Sequence, residues 1–566
     1  MDGRTGGPTL LAATMLLGCG PVDEGNAAPP LPTGGSATSG ASGASSAATS
    51  VTAGNSGGTA SGGGGSVPAH CEVAGEDSSS GEPDVDDDGF KFDVGAPDGG
   101  LTFEFGCAEA AAQSTNLGCE FYAVDLPNDD RGTFMSPAAA DQQFSVAVGN
   151  PSGLSAALVE VYLPGEDTAF ASAQVEPQQT FTFPLPSASI EPNFGTTDGL
   201  AYRVVSDTPI VAYQFNPLDN TTPVYSNDAS LLLPTHALGT DYTAVTGSAI
   251  LLSMGANDPN PRNAGAFVSV VATQDDTLIE LAPTAALVGG LPASKVTLDA
   301  GQVWTIVSTQ AEGQSGNLSG TRVHANAPIA VFGGNVATVE PVAASGCCAD
   351  HLEHQLSPVT AWSSRYAVAP PPSVTGDGND RALYRLTGSF DDTELLYCPT
   401  RPEGAPERID AGETLAFQSN QPFTIAAADP DQAFGLAQFI LSTEVLSENG
   451  LGDPAMLIVP SALQFEKRLA FVVPPGYVDN WATVVAQGDG TVTLDGDAIP
   501  ESAFADLGNL DGETFRYAQV PLDEGQHIIE GQSRIGVSVF GYDEAVSFAY
   551  PGGAGLRVVS IPPAAG

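Results

Sequence analysis

The same strand, built on an apolar core behind a proline, returns through the body of this chain. "SDTPIVAYQFN" (206–216) parallels "ANAPIAVFGGN" (325–335) and "SNQPFTIAAAD" (419–429), and more loosely "GQSRIGVSVFGYD" (531–543). Other segments recur in step with it. "LDAGQVWTIVS" (298–308) parallels "IDAGETLAFQS" (409–419) and "LDEGQHIIEGQS" (522–533), and "DDTLIELAP" (275–283) matches "DDTELLYCP" (391–399). "LPTHALGTDYTAV" (233–245) echoes "LSPVTAWSSRYAV" (356–368). The spacing is about a hundred residues, the size of one β-sandwich domain and too long for an ordinary solenoid repeat. Asp-x-Gly before an apolar run supplies turn geometry. Proline ahead of a strand fits a first residue, whose missing N–H costs no ladder bond.

From about residue 100 the texture is uniform. Short Val, Ile, Leu, Thr, Phe and Tyr runs such as "QQFSVAVGN", "ALVEVYL" and "TFRYAQV" alternate with Gly, Pro, Asn and Asp. Only "CAEAAAQSTNL" (107–117) reads as a helix. The expected fold is all-β: tandem related antiparallel β-sandwich-like units, with a propeller-like arrangement as the alternative. The boundaries read as a first unit at 100–232 with a small disulfide loop, a second at 233–355, a third at 356–458 and a fourth at 459–553. A tail follows at 554–566.

The region before residue 100 has a different composition. A short apolar run, Pro8 to Leu17, ends at "LLGC". It is too short to span a bilayer and reads as a signal-peptide core over 1–18. "LLGC" resembles a bacterial lipobox, which implies cleavage before Cys19 and lipidation of its sulfur. Within the next segment (19–66), residues 27–66 are almost entirely Gly, Ala, Ser, Thr and Pro without charge. Such a chain buries too little to offset its ordering entropy and reads as a tether. Residues 67–99 form an acidic linker. Its Asp84, Asp86 and Asp88 start a calcium-loop pattern, but the closing glutamate position is Gly95, so Ca²⁺ is at most a weak expectation.

Charge narrows the partners. The chain has 566 residues, a net charge of −50 and only three lysines, Lys91, Lys295 and Lys467. Such a surface repels phosphate backbones, which argues against a nucleic-acid partner. No lysine follows a glycine, so no phosphate loop exists.

Six cysteines remain after Cys19: Cys71, Cys107, Cys119, Cys347, Cys348 and Cys398. An even count in an exported chain suggests disulfides. Cys107 and Cys119 bracket a short loop and are the expected pair. Cys398 is expected to take Cys347 or Cys348, leaving Cys71 for the other or as a free thiol. The stretch "CCADHLEHQLSP" (347–358) carries every residue type that binds zinc. His351 and His354 lie three apart and would share a face in a helical turn, with Cys347, Cys348, Asp350 and Glu353 as further donors. The spacing is not His-Glu-x-x-His, and exported cysteines are usually oxidised. The preferred reading is a disulfide-pinned loop between the second and third units, in which Asp350, His351 and Glu353 bond backbone and no metal is held. A metal-dependent hydrolase centred on this cluster and a structural envelope spacer are the alternatives.

Four segments carry a family resemblance: "TNLGCEFYAV" (115–124), "PIAVFGGN" (328–335), "CCADHLEHQLSPVTAW" (347–362) and "VFGYDEAVSFAYPGG" (539–553). In these the chain resembles the N-terminal domain family of IgG-Fc-binding proteins, found in mucus proteins and in lipoproteins of Gram-negative bacteria. Asp350, His351, Glu353, His354 and Trp362 form its most specific cluster. The resemblance implies a cell-surface binding or adhesion role; taken with the lipobox, and with no nucleophile elbow, phosphate loop or dinucleotide fingerprint in the folded part, the expectation is a non-enzymatic lipoprotein of the outer membrane or cell surface. Its membrane contact is the anchor, and its ligand is an extracellular protein or glycan.

Overall fold

The computed structural model describes residue 71 and residues 103–113, 115–130, 138–163, 166–186, 199–218, 226–252, 261–290, 294–310, 315–341, 349–375, 380–442, 451–556 and 558–559. The lipobox, Cys19, the tether, Asp84, Asp86, Asp88, Cys347 and Cys348 all lie outside the described residues.

The second unit shows the wiring. Ala266–Ala272 pairs with Gln302–Val307 on one side and with the later half of the long strand Arg322–Thr338 on the other. Thr277–Ala282 pairs with Lys295–Leu298 and with the earlier half of that long strand. Gly239–Thr243 flanks the earlier half, and Asp350–Gln355 flanks the later half. One long strand therefore passes from one layer of a sandwich into the other, and every pairing is antiparallel. The first unit repeats this around Tyr202–Asn216. The fourth repeats it around Gly525–Asp543. In the third unit the long strand is cut into Phe423–Ala427 and Phe434–Phe439, and its two layers become separate sheets. The cut contains Pro430, which has no N–H to give a ladder.

This wiring corrects one local expectation. Pro209 and Pro328 do not begin their strands. They lie inside Tyr202–Asn216 and Arg322–Thr338, where the strand changes layer and ladder pairing lapses. The turn motifs behave as their chemistry requires. Gly301 and Gly412 hold φ of 81° and 76°, the left-handed region where a side chain is unfavourable. Each Asp-x-Gly turn also bonds the Asp-Asp-Thr turn beside it. Asp299 accepts from the Asp276 amide at 3.3 Å, and Asp410 accepts from the Asp392 amide at 2.8 Å. That bond is a reason for the two motifs to recur together.

Burial patterns show how the sandwiches stack. Thr277–Ala282 alternates buried and exposed, as a sheet facing solvent on one side does. Ala266–Ala272 is buried throughout. Its Val268 and Val270 pack in the second unit's own core, and its Phe267 and Val271 join the core of the first unit. The third unit offers Leu383 and Phe439 to the second unit's core in the same way. Phe465, Val485 and Phe515 of the fourth meet Ala367 and Ala426 of the third. Tyr213 and Phe215 of the first unit pack into the core of the fourth. The ring is thereby closed, and a bridge from Thr115 to Gly555 ties its two ends. The two expected packings combine: each unit is a sandwich, and the sandwiches follow one another around an axis as propeller blades do.

Candidate functional site

The last strand of each unit lies at the axis. These strands are Asp228–Leu231, Asp350–Gln355, Met456–Ile458 and Val546–Pro551. The first and third each touch the second and the fourth, which makes a closed circuit of four. A proline follows or ends each strand: Pro234, Pro358, Pro460 and Pro551.

Asp228 is the hub of the axis. Its carboxyl accepts from its neighbour's amide (Ala229, 2.8 Å), from Glu353 of the second unit (3.1 Å) and from Met456 of the third (3.3 Å). The Ala549 amide of the fourth unit also donates to it. One side chain thus bonds the backbone of every other axial strand. Asp350 extends the network by accepting from the amides of Asn227 (2.6 Å) and His351 (2.7 Å). Ser230 accepts from the Gln355 amide at 2.7 Å, and Ser547 accepts from the Asp453 amide at 2.8 Å. All of these residues are buried. Buried polar groups need such partners, because leaving one unmade costs its full desolvation.

The electrostatics follow from burial. Asp350 is pushed well above the usual carboxylate range by burial, then by the nearby carboxyls of Asp453 and Asp228. Burial and then Asp228 raise Glu353 in the same way, and the Gln214 side chain (3.2 Å) opposes the shift. Burial also raises Asp228 against the pull of its amide donors. The histidines move the other way. Burial lowers His351 to about 3 and His354 to about 4.

These shifts set a pH dependence. A carboxyl whose folded pKa is raised stabilises the fold fully below its unfolded pKa, and that stability is lost as pH rises through the folded value. A histidine with a lowered folded pKa stabilises above its unfolded value near 6.5, and that stability is lost as pH falls towards 4 and 3. Three raised carboxyls outnumber two lowered imidazoles. The urea midpoint is therefore expected to rise when pH is lowered from about 8.5 to about 5.5, and to fall again below about 4. Asp350→Asn should flatten the upper limb. A wild-type midpoint that drops between pH 8.5 and pH 5.5 would contradict the assignment.

The geometry corrects the helical-turn and loop placements considered for His351 and His354. Residues 350–355 are a strand, neither a helical turn nor a loop between units. Positions three apart on a strand face opposite ways, so His351 and His354 are separated. His351 stacks on Phe267 and places Nε2 3.4 Å from Glu353 Oε2, whereas His354 Nδ1 meets the Gln355 carbonyl at 2.8 Å. The structure gives no support to a hydrolase centred there, since the whole strand is buried. Trp362 lies outside the axial network. It packs with Val359 and Ala433 over Gly435, where an added Cβ would meet the indole at 2.9 Å.

The disulfides differ from expectation in one pair. Cys107 bonds Cys119 across the short loop. Cys398 bonds Cys71 and takes neither Cys347 nor Cys348. The partner is set by docking: the Cys71 carbonyl accepts from Asn509 of the fourth unit at 2.8 Å, which holds residue 71 at the junction of the third and fourth units.

Asp228, Asp453 and Gln214 were not singled out in the sequence. The signal for Asp228 was present. The echo between 233–245 and 356–368 extends leftwards, where Asp228 precedes Pro234 much as Asp350 precedes Pro358 and Asp453 precedes Pro460.

A closed ring of β-sandwiches, in which Asp228 and Asp350 hold the backbone of the axial strands, defines a scaffold class and shows no catalytic constellation among the described residues. The model of the IgGFc binding protein family matches residues 228–541, and the chain belongs to that family. It is a family of binding domains and not of enzymes. The match begins at the axial strand of the first unit, includes those of the second and third, and ends within the long strand Gly525–Asp543 of the fourth. No curated protein matches the chain. Among solved structures, an anti-sigma factor domain-containing protein from Clostridium clariflavum is 8% identical over 70% of this chain and 98% of its own, with a TM-score of 0.11. Salmonella alpha-2-macroglobulin reacted with methylamine is 10% identical over 79% of this chain and 33% of its own, also at 0.11. Neither likeness is close enough to carry an argument.

Proposed function

We propose that this chain is a surface binding or adhesion protein, lipidated on Cys19 and held off a Gram-negative outer membrane by the 27–66 tether. Family membership and the use of the axial chemistry support this reading. Asp228, Asp350 and Glu353 are buried and engaged with the protein's own groups, so ligand contact falls to the outer rim of the ring. The Cys71–Cys398 and Cys107–Cys119 disulfides suit an oxidising compartment. The ligand is an extracellular protein or glycan.

The test immobilises residues 68–566 and offers immunoglobulin Fc, envelope glycans and intact surfaces of other bacteria. Saturable capture of one of these is expected. No capture of any would leave the ring as an envelope spacer. Palmitate labelling of the full chain, lost in Cys19→Ala, is the expected result for the anchor.

A further inference from the structure

We infer that the outer edge of Thr180–Pro184, in the first unit, accepts an extended peptide of alternating apolar and cationic residues as an added β-strand. The inference supplies a site for the binding activity proposed above and rests on that reading. The strands equivalent to Thr180–Pro184 are Gln302–Val307, Thr414–Ser419 and Glu513–Pro521, each at the same place beside its unit's inner strand. Two of them already carry an added antiparallel strand. Gly199–Leu200 lies along Gln302–Val307, with Leu200 opposite Gln302 and the Ala201 amide bonding the Gly301 carbonyl at 3.0 Å. Ala505–Leu510 lies along Glu513–Pro521. In the third unit, the turn leading into Thr414–Ser419 lies against the second unit. A Cβ added to Gly320 would meet the Gly412 carbonyl at 2.9 Å. Among the described residues, nothing pairs with the outer edge of Thr180–Pro184.

The register shows what this edge offers. The Leu185 amide bonds the Phe144 carbonyl and the Asn150 amide bonds the Gln179 carbonyl, each at 3.0 Å. Between these, Phe181 and Phe183 bond inward, which leaves the main-chain groups of Thr180 and Thr182 facing out. Pro184 has no N–H and limits the usable edge. Phe181 is 40% exposed at the strand and Phe170 is 47% exposed just before Ala171–Val175. An incoming apolar side chain can cover Phe181.

Charge decides the occupant. Glu176 is exposed in the turn between Ala171–Val175 and Thr180–Pro184, and Glu166 and Asp167 are exposed in the loop that leads into Ala171–Val175. No lysine or arginine occurs between Arg131 and Arg203. Natural sheets commonly guard an exposed edge with lysine, and this one has none. A second copy would bring the same acidic surface and repel, whereas a cationic strand is attracted.

The test measures fluorescence anisotropy of a fluorescein-labelled octapeptide of alternating lysine and valine with the 68–566 protein. Saturable binding is expected with Kd of about 10–100 µM, weakening as salt is raised. The same peptide N-methylated at alternate amides keeps its side chains and should not bind. Thr182→Pro removes an outward N–H that the inner ladder does not use, and should weaken binding at least about tenfold with Tm unchanged. If that variant fails to fold, the N-methylated peptide still decides. The inference is overturned by no saturation up to about 1 mM, by equal binding of the methylated peptide, or by a Thr182-dependent dimer in sedimentation. Applied to the immobilised protein of the preceding section, Thr182→Pro separates the two claims. A ligand captured equally by both forms removes this site and leaves the binding function standing.

Discussion

Asp228→Ala is expected to destabilise the ring more than any other single truncation at its centre. The carboxyl holds the amides of Ala229, Glu353 and Met456, together with that of Ala549. Those amides belong to all four axial strands. Each buried donor left without an acceptor costs about 1–3 kcal/mol, so losing several at once removes a large part of an ordinary domain's stability of about 5–15 kcal/mol. Asp228→Asn keeps one acceptor oxygen and should fall between alanine and wild type. Urea unfolding of the 68–566 protein gives the ranking, and limited proteolysis shows whether the units separate before they unfold. An Asp228→Ala protein with the wild-type midpoint would mean that apolar contacts alone close the ring.

Arg385→Ala should cost about 3–5 kcal/mol by stranding a buried carboxyl. Arg385 and Glu340 are almost fully buried and lie 3.3 Å apart, at the seam between the third and second units. The guanidinium also donates to the Thr246 carbonyl and stacks 4.4 Å from the centre of the Phe439 ring. Glu340 is tied to the third unit a second time, because its amide donates to Ser442 Oγ at 3.0 Å and its carbonyl accepts from the Ser442 amide at 2.9 Å. Burial raises the Glu340 carboxyl even with Arg385 beside it, so losing the arginine should raise it further. The variant then loses stability as pH rises, because the stranded carboxyl must ionise without its partner. Arg385→Met combined with Glu340→Gln removes both charges and should recover most of the loss. If the double variant is as unstable as Arg385→Ala, packing on Phe439, and not the ion pair, is what the arginine supplies.

The extent to which the sequence announced this structure differs between its levels. Strand chemistry and turn chemistry were readable because both are local: Thr277–Ala282 alternates along its length, and an Asp-x-Gly turn needs its glycine whatever surrounds it. Ring closure was not readable. It depends on Phe267 and Val271 facing away from their own sandwich, and an apolar residue does not state which core it will join. The polar axis was hidden for a related reason. Asp228 in "SNDASLLLP" looks like a turn aspartate until the strands of three other units are brought to it. Asp350, His351, Glu353 and His354 attracted attention by their chemical types, and those types suggested metal. Their burial on a strand shared by two units determines what they do, and burial has no mark in a single sequence. Cys71 was assigned loosely because its partner is 327 positions away.

That long-range bond also fixes how the molecule carries load. A pull applied to the chain ahead of residue 71 reaches the ring through Cys398, in the third unit, and is shared with the fourth through Asn509. The first unit, nearest in sequence to the pulled end, bears none of it while the disulfide is intact. With the disulfide intact, the line of force does not run through the residues between Cys71 and Phe103. Reduction would place them in line and add on the order of 100 Å of reach before the first unit felt tension. The ring hangs from its third unit, and thiol chemistry sets the length of the line.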